Sequence, residues 1–294
     1  MRISTNQFYQ VNGEKMSAGQ SKVAELQAKL GSGKQILKPS EDPGKANLIS
    51  GLESAKKRQE IYTKNVDAGE TRLTAESAVL ESMTNIMQRI TQLTVQSAND
   101  TLGLSDRDVI ATEIDALRDE LLNLTNTQDL TGAYIFSGNK TSSPAFVEDA
   151  SGVITYNGDY GRLEINVSDV RSIAVNTLGP DLFSAADFKA LDDLVADLRS
   201  GNGAGVRTKL ADVSSISDRL VNSYGAMAGR LAAMESQRSV IDETTLRIDE
   251  LLIREDDLDY AEAVTELSKQ SVALQALQAS FVKVAELSLF NYLR

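Results

Sequence analysis

The chain has no histidine, no cysteine and no tryptophan among its 294 residues. Without histidine there is no imidazole base, no Ser–His or Cys–His pair and no imidazole metal ligand. Without cysteine there are no disulfides, thiolate nucleophiles, cysteine–zinc sites or iron–sulfur clusters. Only carboxylate, lysine, tyrosine or serine–lysine chemistry stays open. Aromatics reach 5% and prolines number four, a profile of long helices and not of a compact aromatic core. No apolar run is long enough to span a bilayer, so no membrane insertion is expected. The start, Met1-Arg2-Ile3-Ser4-Thr5-Asn6-Gln7, has no apolar h-region, and no cleavable secretory signal is expected there.

What is present has globular proportions, 41% hydrophobic and 24% charged. The net charge of −12 is unevenly spread. Residues 1–60 hold ten Lys/Arg against six Asp/Glu, whereas Asp242 to Glu266 carries ten acids against Arg247 and Arg254. The basic residues are spaced singly and lack interleaved aromatics, so a nucleic-acid partner is not expected. A basic start lying beside an acidic partner segment is the simpler reading.

The hydrophobic pattern reads helix, β-rich insert, helix. Met16, Val23, Leu26 and Leu30 recur at heptad-like spacing in a short first helix, which breaks at Gly31-Ser32-Gly33 and Pro39. Asp42-Pro43 then reads as an N-cap followed by proline at the first helical position. From there to about Asn99 runs a stripe of Tyr62, Val66, Gly69, Leu73, Leu80, Met83, Met87 and Ile90, alternating steps of three and four wherever it is filled. Such a helix is about 80 Å long. A turn at Asp100–Gly103 leads to a helix capped by Ser105 or Asp106, with Ile110, Ile114, Leu117, Leu121 and Leu124 as its stripe.

The period changes to two in Gly152–Tyr156 and Leu163–Val167, with turn residues at Asn157-Gly158 and Gly161, and Ile173 and Val175 add another strand. A helix at Asp187–Arg199 is followed by the break Gly201–Gly205. Leu220, Met227, Met234, Ile241 and Ile248 then recur every seven residues, with Val213, Ile216, Tyr224 and Leu231 in the alternate seam. After Glu255-Asp256-Asp257 a last helix carries Val264, Leu267, Leu274, Leu277, Phe281 and Val284, then Leu289, Phe290 and Leu293.

The two halves mirror one another. The predicted fold is mainly α: a long antiparallel helical-bundle rod formed by both chain halves, with a small β-rich inserted domain. The expected division is a terminal helical assembly domain (1–41 with 256–294), a helical rod domain (42–143 with 184–255) and a β insert (144–183). Rod packing is assigned to Leu73, Leu80, Met83, Met87, Ile90, Leu220, Met227, Met234, Ile241 and Ile248. The assembly interface is assigned to Met16, Val23, Leu26, Leu30, Leu267, Leu274, Leu277, Phe281, Val284, Leu289, Phe290 and Leu293, because this apolar load exceeds one narrow seam. Both terminal segments are expected to become helical only on assembly.

Candidate chemistry is thin. Lys34 after Gly31-Ser32-Gly33 lacks the Gly and Ser/Thr that a phosphate loop needs, since Ala28 and Gln35 stand there. Asp192-Asp193 and the acids at 255–259 do not follow calcium-loop spacing and read as solvated faces or caps. Gly225-Ala226-Met227-Ala228-Gly229 has small-xxx-small spacing, whose default meaning in a soluble helix is tight helix–helix packing. Asn139-Lys140-Thr141 fits a glycosylation acceptor, as do the triplets at Asn123 and Asn166. No catalytic, cofactor or metal site is assigned, and no enzyme activity is expected.

The terminal motifs resemble the flagellin superfamily of bacterial axial proteins. They are Arg2-Ile3-Ser4-Thr5, Leu30-Gly31-Ser32-Gly33-Lys34 and Pro39-Ser40-Glu41-Asp42-Pro43 at one end, and Ala276–Phe281 with Leu287–Leu293 at the other. Within it, the chain length, the modest insert and Leu130-Thr131-Gly132-Ala133-Tyr134-Ile135-Phe136-Ser137-Gly138 are most similar to the branch that joins hook to filament. Glu41 stands where many members have Asp. The resemblance implies export through the flagellar type III apparatus to the outside of the cell and a cytosolic export chaperone on the C-terminal region. It also implies a homo-oligomeric ring between a hook-side junction protein and flagellin. A short flagellin that forms the filament itself is the alternative reading. From another class, a carboxylate-dependent hydrolase on a helical scaffold would require a concave cleft with facing acids.

Overall fold

The computed structural model describes the backbone of residues 2–99, 101–150 and 152–292, and their side chains except at 2–6 and 285–292. Leu289, Phe290 and Leu293 of the expected interface, and Asp100 of the expected turn, therefore lie outside the described residues. The helices are α1 (Arg2–Ser32), α2 (Pro43–Ser97), α3 (Leu104–Thr125), α4 (Gly179–Leu182), α5 (Ala185–Arg199), α6 (Gly203–Asp256) and α7 (Tyr260–Tyr292). The strands are β1 (Phe146–Glu148), β2 (Ile154–Tyr156), β3 (Glu164–Asn166) and β4 (Ser172–Ala174). The fold is mainly α with two small antiparallel sheets. The chain divides into two compact units, Met1–Arg58 with Thr244–Arg294, and Gln59–Glu243, so that the cut falls inside α2 and α6.

Local chemistry sets most boundaries. Lys45 N–H donates to Asp42 Oδ1 at 2.9 Å, so Asp42 caps α2 as the Asp-Pro pair predicts. α5 starts in a capping box of Ser184 and Asp187. α3 departs from expectation: it is capped by Gly103 with no side-chain bond, and neither Ser105 nor Asp106 serves. Its first turn is held instead by the buried Arg107, whose guanidinium donates to Asn99 O at 3.1 Å and Gly201 O at 3.5 Å. One side chain thereby ties together the turns that follow α2 and α5.

In the Gln59–Glu243 unit, the residues assigned to rod packing from Leu73 to Ile90 and from Leu220 to Ile241 are all buried in one cluster. Two side-chain contacts fix the antiparallel course of α2 and α6. Arg238 Nη2 lies 2.6 Å from Glu70 Oε2, and Arg230 Nη2 lies 3.7 Å from Glu76 Oε1. Between them the helices come close at Gly69, where a Cβ would stand 2.6 Å from Met234 Cε. α3 and α5 also run antiparallel, tied by Arg199–Asp115 at 2.9 Å and Arg118–Asp192 at 3.0 Å. Ile248 is buried at 7% exposure, but in the other unit. Tyr224 is not in the seam; it is 36% exposed, and Ser223 beside it donates to Asp181 O at 2.8 Å.

The β segment is two hairpins, β1 with β2 and β3 with β4, in the registers Val147↔Thr155 and Ile165↔Ile173. Asn157-Gly158 therefore connects the hairpins and does not turn one of them. The β1–β2 turn is made by Asp149, whose Oδ1 accepts from Val153 N–H at 2.9 Å. Phe146 and Tyr156 pair across the strands at 5.4 Å, and Phe188 of α5 meets Phe146 at 5.6 Å. Small sheets need such support from adjacent helices.

Glu76 occupies the gap in the α2 stripe between Leu73 and Leu80. It has no solvent exposure, and its Oε2 accepts from Thr177 N–H at 3.2 Å. Arg230 grips the same segment, donating to Asn176 O at 2.6 Å. A buried carboxylate thus fixes where the strand segment crosses the helices. Desolvation raises the Glu76 pKa above the ordinary glutamate value, outweighing the Thr177 bond and the Arg230 charge. For a carboxyl raised on folding, the stability it contributes is present in full below its unfolded pKa. It is lost as pH rises through the folded value. Glu76→Gln should therefore gain stability relative to the parent chain as pH rises above the ordinary glutamate pKa, measured by denaturant unfolding at each pH. A difference between the two chains that does not change with pH would contradict this.

Candidate assembly interface

The Met1–Arg58 and Thr244–Arg294 unit is built from both chain ends. α1 places Tyr9, Asn12, Met16, Gly19, Val23, Leu26 and Leu30 on one face, at steps of three and four. α7 runs against it in the opposite direction: Gly19 faces Leu274 Cδ1, 3.2 Å from where its Cβ would stand, and Tyr9 meets Phe281 at 5.5 Å between ring centroids. Both segments are helical within a single chain, each providing the other with an apolar face.

The α1–α2 and α6–α7 connections are bonded to each other. Gln35 N–H donates to Asp256 O at 2.7 Å and Leu258 N–H donates to Gly33 O at 2.9 Å, with Lys34 bridged to Asp257. Gly33 makes this possible, since its φ of +72° is one that other residues rarely adopt. The basic start and acidic late segment meet here, as the charge pattern suggests. Lys34 Nζ lies 2.6 Å from Asp256 Oδ2, Lys45 Nζ 3.7 Å from Glu255 Oε2, and Lys56 Nζ 2.7 Å from Asp249 Oδ1. The Asp256 hydrogen bond raises the Lys34 pKa above the ordinary lysine value. Lys34 is an ion-pair partner here, not a phosphate ligand. Asp192 and Asp193 are likewise engaged, by Arg118 and by Lys189 with Lys209.

Among the described residues of the assigned interface, only Leu26 is buried. Met16, Val23, Leu30, Leu267, Leu274, Leu277 and Phe281 are half-buried, and Val284 is 41% exposed. Ala263 and not Val264 faces inward: Val264 is 49% exposed, while Ala263 continues the stripe Leu267, Gln270, Leu274, Leu277, Phe281 at steps of four and three. Tyr9 and Ala263 were missed by a reading that weighted large aliphatics, although the periodicity passes through both. Among the described residues, Leu26, Ile49, Ile248 and Ala263 are the buried hydrophobics of this unit. Phe8, Val11, Val272 and Val282 are exposed. So little burial leaves the ordering entropy of two helices weakly offset. Limited proteolysis of dilute full-length chain should trim both ends before any cut between residues 59 and 243. Equal resistance of ends and interior would count against this.

On α6, Gly225 and Gly229 have nothing within 4 Å of where a Cβ would stand. Among the described residues, no atom of another element stands close to either glycine of the small-xxx-small face. Mid-helix glycine costs roughly 0.5–1 kcal/mol relative to alanine, and within one chain nothing is gained for it.

Comparison with known proteins gives this surface its context. Residues 3–141 match the bacterial flagellin N-terminal helical region. Over 317 residues the chain is 28% identical to "Flagellar hook-associated protein 3" of Escherichia coli (strain K12), covering 99% of both chains. It is 30% identical to "Flagellin B" of Vibrio anguillarum, but over 56% of this chain and 41% of that one. The fold is shared with the crystal structure of flagellar hook associated protein-3 from Legionella pneumophila. There the TM-score is 0.65 at 17% identity, covering 70% of this chain and 98% of that chain.

Proposed function

We infer that this chain, homologous along its length to flagellar hook-associated protein 3 and flagellin-like in its N-terminal half, is a structural axial protein of the bacterial flagellum that joins hook to filament. The observation that carries the reading is the end-to-end similarity, in which both termini and the short insert are matched together. The short-flagellin alternative accounts for less: flagellin of Listeria innocua matches at 22% identity over 75% of this chain and 82% of that one, against 28% over 99% of both for the hook-associated protein.

The proposed mechanism is geometric, and the working groups are apolar side chains with no catalytic set. Segments 1–41 and 256–294 act as the assembly part. The half-buried faces of α1 and α7 are covered by the same faces of other copies in a ring. Segments 42–143 and 184–255 form the wall, and 144–183 is an outward insert. The ring contacts a hook-side junction protein on one side and flagellin on the other. Export through the flagellar type III apparatus, with a cytosolic chaperone holding the C-terminal region, delivers the chain outside the cell. Apolar side chains left half-covered on a single chain, as on α1 and α7, form a surface for partners.

Purified full-length chain is expected to add as a short ring to isolated hooks that carry the hook-side junction protein, and to do nothing to bare solution. Extended filaments seeded by the chain alone would favour the flagellin reading.

A further inference from the structure

Three Asn-Gly pairs occur in the sequence, beginning at Asn12, Asn157 and Asn202. Such a pair can modify itself, because glycine has no Cβ to shield its nitrogen from the carbonyl carbon of the preceding side chain. The reaction needs an unbonded glycine N–H, a side-chain amino group free to leave, and a group that balances charge on the amide oxygen. At Asn202 the first two are blocked. Gly203 N–H donates to Gly201 O at 3.0 Å, and Asn202 Nδ2 donates to Asp197 Oδ1 at 2.8 Å. The same side chain is held further by Gly205 N–H, which donates to its Oδ1 at 3.0 Å. Asn12 lies within α1, where Gly13 N–H belongs to the helix ladder and Asn12 Nδ2 donates to Phe8 O at 2.8 Å.

Asn157 differs at each point. Among the described residues, neither Gly158 N–H nor Asn157 Nδ2 makes a hydrogen bond. Lys140 Nζ stands 3.1 Å from Asn157 Oδ1 and 2.9 Å from Asn157 O. That ammonium is placed to balance the negative charge that appears on Oδ1 when the carbonyl carbon is attacked. Lys140 is exposed, and Asn157 and Gly158 are only half-buried, so water reaches the pair. The fold also keeps the glycine. A Cβ on Gly158 would collide with Tyr156 Oη and stand 2.7 Å from Ser137 O, so a residue whose side chain would slow the reaction does not fit there.

We propose that Asn157 converts itself to aspartate or isoaspartate, with the Gly158 nitrogen as nucleophile and Lys140 steadying the oxyanion. The bond from Gly158 N to Asn157 Cγ forms as the Cγ–Nδ2 bond breaks, and the Gly158 proton leaves with the amino group as ammonia. Water then opens the cyclic imide. Breaking the new bond gives aspartate, and breaking the old main-chain bond gives isoaspartate. No enzyme and no oxidant or reductant is needed. The aspartate carboxylate forms where Lys140 already stands and gains an ion pair. Isoaspartate lengthens the main chain by one carbon between two fixed points, Asn157 N–H on Ala145 O at 2.8 Å and Asp159 N–H on Ser137 O at 3.1 Å. The converted fraction therefore rises with the age of the chain.

Purified full-length chain, held at neutral pH over several days, tests this by peptide mass spectrometry against a sample taken at the start. The peptide holding Asn157 should gain one mass unit and separate into two products, at least about ten times faster than the peptide holding Asn202 converts. In denaturant the two pairs should convert at similar rates, because the bonds that distinguish them are gone. Lys140→Met should slow conversion at Asn157 several-fold in the folded chain, and Lys140→Arg should restore it. Equal rates at Asn157 and Asn202 in the folded chain, or a difference that persists in denaturant, would overturn the proposal. A rate at Asn157 that Lys140→Met leaves unchanged or raises would overturn the part given to Lys140.

Discussion

Removing residues 1–41 and 256–294 is expected to leave a chain that unfolds cooperatively and cannot enter the flagellar axis. The remaining 42–255 contains the whole Gln59–Glu243 unit, and that unit holds nearly all the buried hydrophobics of the described residues, from Val66 through Ile241. Its helices therefore keep their packing when the ends are gone. What disappears is the surface of Met16, Val23, Leu274 and Phe281, which a single chain only half covers. Cells carrying only the truncated chain should lose filament attachment altogether, scored by counting filaments on otherwise intact hooks. A truncated chain that still completes the junction would remove the assembly role from the termini. One that fails to fold would mean that the terminal unit supports the inner one.

The second large effect is on stability. Met234 and Ile241 have 0% and 1% exposure and lie in one cluster with Leu73, Leu80 and Met83. Truncating either to alanine should cost about 2–4 kcal/mol, the sum of lost transfer energy and the cavity left behind. Met234 also lies against Gly69, where an added Cβ would stand 2.6 Å from its Cε. Denaturant unfolding of the full chain would measure this as a lower midpoint at unchanged slope. By contrast, Val240→Ala, at 53% exposure, should change stability little. Near-parental unfolding of both core variants would mean that the seven-residue register does not describe the packing.

These two expectations come from patterns that are plain in the residues themselves. The Asp42-Pro43 start, the stripes of α2 and α6 and the glycine-rich breaks are local signals, and local backbone chemistry decided them. Three things were not legible. Glu76 occupies a seam position where an apolar residue is the norm, and only the approach of Thr177 and Arg230 from distant sequence explains it. Ala263 replaces Val264 on the inner face because α7 is registered by its later residues, Leu274 and Phe281, against α1. The hairpin pairing was also hidden: Asn157-Gly158 is a strong turn signal, yet β2 pairs backwards with β1 through the Asp149 turn, and tertiary support from Phe188 favours that choice. The interface was legible as excess apolar residues on the terminal helices.

The central claim is a place, the boundary between hook and filament. It is tested most directly by labelling the chain specifically in isolated hook–filament structures and locating the label by electron microscopy. The account predicts one compact band where the hook ends and the filament begins, and none further along. Label distributed along the filament would make the chain a flagellin, and label missing from the axial structure would contradict the account outright.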